Sequence, residues 1–346
     1  MWMENCWQVA AFSDEVGRTI LPRTFLNKQT ILYRTAAGQV VAMLDRCPHR
    51  LMPLSKGTLV EDKVQCGYHG LCFDMHGDCV KVPGQVSIPS KATVQTFPIV
   101  EKFKLVWIWL GDPTLADPSL VPDAHWMDDP NWVPSKGYHL VNANYQLLND
   151  NLLDLSHETY VHPHTIGNGA VAESPLSVSV VEGREVRAYR EMLDCEAPPF
   201  YLAAAGSTAR IDRWHTTIYM PPGYHVIESA SRPAGMSKDQ AYREGKVPER
   251  RNLNFITPQT DTSSHYFWAS NRNYALTDDE LTEFIRDQIR LTFDQDKDIL
   301  EAQQKALGTS FDNVFPVALK ADAGAIQGRR LLQALIAKEA SHARNP

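Results

Sequence analysis

A pair of short cysteine–histidine motifs constrains this chain more than any other feature. Cys47 and His49 stand in Cys-Pro-His-Arg, and Cys66 and His69 follow in Cys-Gly-Tyr-His-Gly. Two thiolates and two imidazoles can bind a [2Fe–2S] cluster, with both cysteines on one iron and both histidines on the other. The pattern therefore predicts an electron-transfer centre held between two loops.

A structural zinc site uses the same ligand types and is the alternative interpretation of the two motifs. Two features favour the iron–sulfur cluster. The Cys-x-His half is too tight for an ordinary zinc-finger knuckle, and both motifs lie in strand-rich sequence with Gly and Pro turns. The remaining cysteines have no metal-ligand spacing and are expected to be buried free thiols: Cys6, Cys72, Cys79 and Cys195.

Length and composition exclude some classes of protein. A chain of 346 residues with 43% hydrophobic residues can form two domains or one large one. Its net charge of −7 and its lack of a basic run argue against a nucleic-acid-binding surface. The N-terminal residues do not resemble an export signal, and the longest apolar stretch, residues 105–110, is too short to span a membrane. Cysteines without a paired framework predict a cytoplasmic location.

Residues 1–112 predict a small all-β domain. Segments rich in Val, Ile, Leu and aromatic residues predict strands at 29–34, 40–45 and 105–110, and Gly, Pro and Asp turns separate them. The turn-rich stretch that begins with Gly111, Asp112 and Pro113 predicts a domain boundary after residue 112.

Residues 113–346 predict an α+β domain built on a curved antiparallel sheet. Strands are expected at 177–181, 211–219, 224–229, 252–257 and 265–268. Helices are expected at 146–160 and 328–338, and the strongest begins at Thr277, where Thr-Asp-Asp-Glu forms a capping box. The apolar stripe of that helix consists of Leu281, Ile285, Ile289, Phe293, Leu300 and Leu307.

His157 and His162 are expected to hold a second metal. Asp154 and His157 are three residues apart, which places them on one face of a helix. Pro163 disfavours helical geometry at His162, so the chain can turn there and bring His162 back beside His157. Two histidines and one carboxylate form the facial triad that binds non-heme Fe(II) and leaves positions open for O2.

The carboxylate is expected to come from the strongest helix. Its candidate acids are Asp294, Asp296 and Asp298, and only Asp296 falls on the apolar stripe. A carboxylate on a core-facing stripe is costly unless it is paired or binds a metal. Asp296 is therefore the predicted third ligand, and His164, two residues after His162, is a rival histidine.

With these motifs, nearly the full chain resembles the oxygenase component of Rieske non-heme iron monooxygenases. It is most similar to the vanillate O-demethylase group, with dicamba demethylase and toluenesulfonate methyl-monooxygenase as relatives. Further matching segments are N-L-L-D-L-S-H-E-T-Y-V-H at 151–162, F-I-T-P at 255–258, Y-F-W at 266–268 and D-A-G near 322. The resemblance implies a helix-grip catalytic domain, and it too selects Asp296 as an iron ligand.

The resemblance also implies roles for residues that bind no metal. Respiratory Rieske proteins carry a disulfide-bonded cysteine in each ligand loop, whereas Met52 and Tyr68 stand at those positions here, as in the oxygenases. Asp154 matches an aspartate that bridges an iron histidine to a cluster histidine of the next subunit, which implies a homotrimer. Asn151 matches an asparagine beside the iron. Asn254 replaces a histidine or aspartate at a substrate-pocket position.

The implied function is the O2-dependent hydroxylation of a methoxy or methyl group on an aromatic acid. NADH electrons would reach the cluster through a separate reductase that carries a flavin and a [2Fe–2S] cluster, since this chain lacks a Gly-rich dinucleotide fingerprint. Arg210, Arg213 and Arg232 are candidates for pairing with a substrate carboxylate or sulfonate. The alternative is a Rieske electron carrier, for which the first third of the chain would be enough.

Overall fold

The computed structural model describes residues 2–207, 209–309 and 314–342. Its backbone divides into two compact units, Trp2–Asp123 and a second unit that begins at Ala124. This division falls later than the predicted boundary after residue 112, because residues 113–123 stay attached to the first unit. The indole N–H of Trp7 donates to the carbonyl oxygen of Asp117 at 2.8 Å, between 3-10 turns at Pro113–Leu115 and Pro118–Leu120.

The first unit consists of three small antiparallel sheets. Their strand orders are β1-β11-β10, β2-β3-β4-β9 and β5-β6-β7-β8. The strands are β1 Trp7–Phe12, β2 Leu21–Phe25, β3 Lys28–Arg34, β4 Val40–Leu44, β5 Thr58–Val60, β6 Lys63–Gln65, β7 Cys72–Phe73, β8 Cys79–Lys81, β9 Thr96–Phe97, β10 Ile99–Lys102 and β11 Leu105–Trp109. The predicted all-β fold and the three predicted strands are confirmed.

The two cysteine–histidine motifs lie in loops that are anchored in the core of this unit. One loop follows β4 and the other connects β6 to β7. Cys47 and Cys66 belong to the same buried cluster as Tyr33 and Phe73. The apolar contacts that stabilise the unit therefore also fix the two thiols.

The second unit contains one seven-stranded antiparallel sheet, in the order β12-β18-β17-β16-β15-β14-β13. The strands are β12 Val133–Val141, β13 Ser177–Val181, β14 Glu185–Glu196, β15 Arg210–Met220, β16 Tyr224–Pro233, β17 Glu249–Thr260 and β18 Ser263–Arg272. All five predicted strands are present. Strands β12 and β14 were not predicted, because Pro134 and Gly137 interrupt the first and the second is rich in charged and helix-favouring residues.

Several helices accompany the sheet, and the α+β class is confirmed. They are α1 Tyr145–Leu153, α2 Glu158–Val161, α3 Gly169–Glu173, α4 Pro199–Ala205, α5 Lys238–Arg243, α6 Asp279–Leu307 and α7 Ala323–His342. The predicted start of α6 was wrong by one residue. Asp278, not Thr277, is the N-cap, and its carboxylate accepts from the backbone N–H of Leu281 at 2.8 Å.

The prediction of one continuous helix over 146–160 was also wrong. The helix α1 ends at Leu153, and Asp154 adopts extended backbone angles of −124° and 91°. The Asp154 carboxylate then caps a 3-10 turn at Leu155–His157 by accepting from the N–H of Ser156 at 3.0 Å. Asp154 and His157 therefore do not share a helix face, because the aspartate competes for the backbone and breaks the helix.

Three helices pack against one face of the seven-stranded sheet, here called the inner face, which carries Arg213, His215, Ser229 and Asn252. The helix α1 contacts β15 and β17, α6 contacts β12 and β18, and α7 contacts α1 and β14. Gly324 lets α7 approach α1 closely, since a Cβ there would lie 2.8 Å from the carbonyl oxygen of Leu153. Among the described residues, no helix has the length and apolarity needed to cross a bilayer.

Candidate metal centres and active-site pocket

The two cysteine–histidine loops have matching backbone conformations. The N–H of Cys47 donates to the carbonyl of Met52 at 2.9 Å, and the N–H of Leu51 donates back to Cys47 at 2.9 Å. In the second loop, Cys66 pairs with Leu71 at 2.8 Å and Gly70 pairs back at 3.0 Å. Leu51 and Gly70 both have positive φ, 57° and 71°. Each loop is therefore closed by its own hydrogen bonds, independently of any metal.

The loops present buried sulfur and exposed imidazole, which fits the asymmetric ligand set of a Rieske cluster. Cys47 and Cys66 are buried, whereas His49 and His69 are exposed, with ring centroids 4.5 Å apart. Burial raises the pKa of the Cys47 thiol, as does the neighbouring Cys66, while the backbone N–H groups of His49 and Arg50 lower it. Backbone N–H groups directed at sulfur favour the thiolate that binds iron.

The positions of the additional respiratory cysteines are filled without a disulfide. Met52 packs against the core of the unit, and the exposed Tyr68 ring lies 3.8 Å from that of His69. All six cysteines of the chain are free thiols, and Cys72, Cys79 and Cys195 are buried as expected. Cys6 is only partly buried.

In the second unit, His157, His162 and Asp296 converge. The Nε2 atoms of His157 and His162 lie 3.4 and 3.1 Å from Oδ1 of Asp296. One potential ligand atom of each residue lies within 4.8 Å of the other two, and this is the only such set of three found among the described residues. As predicted, the chain leaves the helix at His162, which brings its ring centroid to 5.3 Å from that of His157.

Hydrogen bonds orient both imidazoles of this set. Nδ1 of His157 lies 2.6 Å from the backbone carbonyl oxygen of Asp154, and Nδ1 of His162 lies 2.8 Å from Oε1 of Gln295. Both partners are acceptors, so each Nδ1 carries a proton, and Nε2, which faces Asp296, is the atom of each ring that would bind a metal. Two nitrogen lone pairs and a carboxylate around one point form the donor set of a non-heme iron site.

The electrostatics of the three residues call for a positive charge between them. Burial lowers the pKa of His157, but its hydrogen bond to Asp296 and the charge of that carboxylate outweigh burial and raise the pKa to about 9. Burial likewise raises the pKa of Asp296, yet His157 and His162 hold it well below its usual range. A divalent metal ion supplies the charge that a proton otherwise provides, so the residues fit Fe(II).

The rival acids and the rival histidine lie elsewhere. Asp294 and Asp298 are exposed on α6, and Asp294 lies 3.1 Å from Nε2 of His139. His164 is exposed and is not part of the converging set. Asp150 is bound by Arg329 of α7, with its closest contact at 2.6 Å.

Asn151 and Asp154 lie beside the converging residues. The side-chain amide of Asn151 donates to Asp296 at 3.1 Å and lies 3.5 Å from Nε2 of His157. The Asp154 carboxylate lies 3.4 Å from Nη2 of Arg190, and it is the Asp154 carbonyl, not the carboxylate, that contacts His157. The bridge from Asp154 to a neighbouring subunit stays a prediction.

A pocket opens beside the three residues. Its apolar lining comes from α1, α6, the sheet and the connections between them, and consists of Leu152, Leu155, Ile166, Ile227, Ile289 and Phe293. Its polar lining includes Arg213, His215, Ser229, Arg250 and Asn252. A mostly apolar cavity with a few polar groups is typical of a site for a small aromatic molecule.

The arginines proposed to pair with a substrate are bound to protein acids instead. Arg213 lies 2.9 Å from Oε2 of Glu158, and its guanidinium also contacts Nε2 of His215. Burial and the nearby Arg213 hold the pKa of His215 well below its ordinary value, so this imidazole is neutral. Arg210 pairs with Asp194, and Arg232 pairs with Asp212.

The predicted pocket position of Asn254 is not confirmed. Asn254 is fully buried on the inner face, where its Oδ1 accepts from the hydroxyl of Tyr266 at 2.8 Å and its Nδ2 donates to the Asn252 carbonyl at 3.2 Å. It does not line the pocket, whereas Asn252, two residues earlier on the same face, does. The alternation of side chains along a strand predicts which face of the sheet Asn254 lies on. It does not predict how far along that face the pocket extends.

Two residues of the site were missed from the sequence. Gln295 orients His162 but lies off the apolar stripe of α6, and Arg250 lies before the predicted start of its strand at residue 252. Gln295 directly precedes the predicted ligand Asp296. This adjacency was the one sequence signal that could have pointed to Gln295. Arg250 had none, because its position depends on the register between neighbouring strands of the sheet.

The two sites, one on a small β unit and one on a sheet with packed helices, define an oxygenase with a Rieske cluster and a mononuclear iron. Residues 6–98 match the Rieske [2Fe-2S] domain model, and residues 141–338 match the vanillate O-demethylase oxygenase C-terminal domain model. The chain therefore belongs to the vanillate O-demethylase group of Rieske non-heme iron oxygenases. The Rieske match decides against the structural zinc site.

Individual relatives agree with this family. The toluene-4-sulfonate monooxygenase iron–sulfur subunit of Comamonas testosteroni is 37% identical and aligns over 98% of both chains. The vanillate O-demethylase oxygenase subunit of a Pseudomonas species is also 37% identical, over 98% of this chain and 96% of its own. A crystal structure of dicamba monooxygenase with non-heme iron and dicamba has a TM-score of 0.82 at 34% identity, over 98% of both chains.

Proposed function

We propose that the chain is the terminal oxygenase component of a system that hydroxylates a methoxy or methyl group on an aromatic acid. The observation that carries this proposal is the convergence of His157, His162 and Asp296 at a mostly apolar pocket. An electron carrier needs no second metal site and no pocket for an organic substrate. The geometry therefore favours an oxygenase over a carrier.

The proposed reaction consumes O2, two electrons and two protons. One oxygen atom enters a C–H bond of the methyl group, and the other leaves as water. On a methoxy group the product is a hemiacetal, which breaks its C–O bond to give a phenol and formaldehyde. Mononuclear iron supplies O2 activation when bound, and the Rieske cluster supplies electrons one at a time.

The residues of this chain prepare the site in distinct ways. His157, His162 and Asp296 would hold the iron, and Cys47, His49, Cys66 and His69 would hold the cluster. The Asp154 carbonyl and Gln295 fix the tautomers of the iron histidines. Asn151 donates to Asp296, which limits rotation of the carboxylate. The apolar walls exclude water from the position where an aromatic ring would lie.

The relatives support two kinds of substrate. One is named for the O-demethylation of vanillate and the other for the oxygenation of toluene-4-sulfonate. Both molecules are aromatic acids that carry a methyl group, on oxygen in the first and on carbon in the second. A vanillate-like methoxy aromatic acid is the first candidate, and a methylated aryl sulfonate or carboxylate is the second.

The relatives are components of multi-component systems, which implies a separate reductase partner. We propose that this reductase carries a flavin and a [2Fe–2S] cluster and draws electrons from NADH. We further propose a homotrimer, in which Asp154 links an iron histidine of one subunit to a cluster histidine of the next. The exposure of His49 and His69 is compatible with such a contact.

A reconstituted assay tests the proposal. The iron-loaded enzyme, a surrogate reductase and NADH are incubated with a panel of methoxybenzoates, methylbenzoates and toluenesulfonates, and formaldehyde or alcohol is measured. We expect at least one member to give product in proportion to the O2 consumed. His157→Ala should abolish product while the visible spectrum of the cluster is unchanged. Product formation by His157→Ala would refute the mononuclear site, and NADH oxidation without product across the panel would refute the substrate class.

A further inference from the structure

Three buried arginines lie in one row on the inner face of the seven-stranded sheet. The register places Arg190 of β14 opposite His215 of β15, His215 opposite Ser229 of β16, Ser229 opposite Arg250 of β17, and Arg250 opposite Arg272 of β18. Arg190, Arg250 and Arg272 are 5%, 6% and 1% exposed. A buried guanidinium group is costly unless anionic or carbonyl groups compensate its charge. The partners of each of the three arginines therefore indicate its role.

Two of the three arginines are anchored by protein oxygens. Arg190 donates to the carbonyl of Ser174 at 2.6 Å and lies 3.4 Å from the Asp154 carboxylate. Arg272 donates to the carbonyls of Tyr274, Ala275 and Asp278 at 3.1, 2.9 and 2.9 Å. Both side chains therefore tie the sheet to neighbouring segments and are structural.

Arg250 is different. Its guanidinium makes no hydrogen bond and no ion pair within residues 2–207, 209–309 and 314–342, and its Nη1 is fully buried without a partner. Its guanidinium carbon lies 4.2 Å from the ring centroid of Phe200, so one of its faces is covered by an aromatic ring. Stacking fixes the guanidinium plane but leaves its N–H donors free.

Arg250 lines the same pocket as the three metal-binding candidates. The charges of the other ionised residues there are already matched, since Glu158 pairs with Arg213 and Asp296 with the two histidines. Ser229, directly opposite Arg250 on the neighbouring strand, also has a buried hydroxyl without a partner. The pocket thus contains one unmatched positive charge beside one unused hydroxyl donor.

We propose that Arg250 binds the acidic group of the substrate, an aryl carboxylate or sulfonate, with Ser229 as a second donor. This inference rests on the proposed function and names the residue that selects an anionic ring over a neutral one. The guanidinium fork suits the paired oxygens of either group. An acid held at Arg250 fixes the ring within the pocket, so the methyl group is presented to the iron site in a defined orientation.

Ligand titration of the holoenzyme under anaerobic conditions tests the assignment without turnover. The probes are two acids and their neutral isosteres: vanillate with vanillamide, and toluene-4-sulfonate with toluene-4-sulfonamide. For the wild type we expect at least one acid to bind more tightly than its amide. Arg250→Met should weaken binding of that acid roughly 10- to 100-fold and leave its amide within about 3-fold. The acid that shows the effect identifies the carboxylate or sulfonate class.

Arg251 is the matched control. It adjoins Arg250 on the opposite face of β17, where it lies 3.3 Å from Glu228, and Arg251→Met should leave the acid-to-amide ratio unchanged. Arg250→Lys keeps the charge but loses the fork, so it should fall between wild type and Arg250→Met, and it serves alone if the Met variant does not fold. Three results would each overturn the proposal. They are equal weakening of acid and amide binding, an unchanged acid-to-amide ratio in both Arg250 variants, and a wild type that binds neither acid more tightly than its amide.

Failure of this inference is distinguishable from failure of the proposed function. Acid binding that depends on Arg250 in an enzyme that forms no product would refute the oxygenase reaction but retain the anion site. Equal turnover of an acid and its amide would retain the oxygenase and refute Arg250 as the selecting residue.

Discussion

The two metal-binding regions of this molecule are built in different ways. The candidate cluster ligands lie within residues 47–69, and each of their two loops closes on itself through a reciprocal pair of backbone hydrogen bonds. The candidate iron triad joins His157 and His162 to Asp296 on a different helix, and Asp154 and Gln295 orient its two histidines. A local centre tolerates changes elsewhere in the fold, whereas a centre assembled from distant segments depends on the packing that brings them together.

The largest effect should follow removal of a cluster ligand. Cys66→Ala should abolish the visible absorbance of the cluster and all product formation, because electrons can no longer enter. The mononuclear iron should remain, since its ligands belong to the other unit. Iron analysis, visible spectroscopy and the product assay measure these outcomes. Cys79→Ala, at another buried thiol of the same unit, should keep the cluster. Loss of the cluster in this variant as well would contradict a specific role of Cys66 as a cluster ligand.

The next largest effect concerns the proposed link between the two centres. Asp154→Asn should leave both metals bound but slow reoxidation of the reduced cluster by substrate and O2, by roughly 10- to 100-fold. Single-turnover stopped-flow spectroscopy follows this step. Arg190→Met separates the two interpretations of Asp154, because Arg190 is its ion-pair partner in this structure. Equal slowing in both variants would assign Asp154 to the ion pair rather than to electron transfer.

A smaller effect is expected from the residue that orients His162. Gln295→Ala should weaken iron binding by about 10- to 100-fold, because Nδ1 of His162 loses its acceptor and the ring is free to rotate. Competition with a chelator measures the affinity. Asp298→Ala, at an exposed position of the same helix, is the control. Equal affinities in wild type and Gln295→Ala would show that packing alone orients His162.

The smallest effect compares the two cluster loops with each other. Gly70→Ala should lower the free energy of unfolding by about 1–2 kcal/mol, because φ is positive there and the added Cβ would lie 3.1 Å from Pro83. Leu51→Ala at the matching position should change it by less than about 0.5 kcal/mol, since that loop already holds a residue with a Cβ. Thermal unfolding of the holoenzyme measures the change in stability of both variants. Equal losses would show that adding a Cβ at a positive φ is not what destabilises Gly70→Ala.

The same contrast explains what could be predicted from the sequence. The predicted cluster ligands lie in one short segment with fixed spacing, and Asp296, which the structure places beside His157 and His162, was predicted because a carboxylate interrupts an apolar stripe. Asp154 was misplaced on a helix face because its own side chain ends the helix, which is a local competition that periodicity does not reveal. Arg250 became visible only through strand register, and the position of Asn254 depended on how deep the pocket reaches.

The most direct test of the two-centre account is a count of iron per chain in matched variants. The account predicts three irons in the wild type, two in the cluster and one at the triad, and two in Asp296→Ala, with an unchanged visible spectrum of the cluster. Asp298→Ala should keep all three. Two irons in the fully loaded wild type, or three in Asp296→Ala, would contradict a mononuclear iron bound by His157, His162 and Asp296.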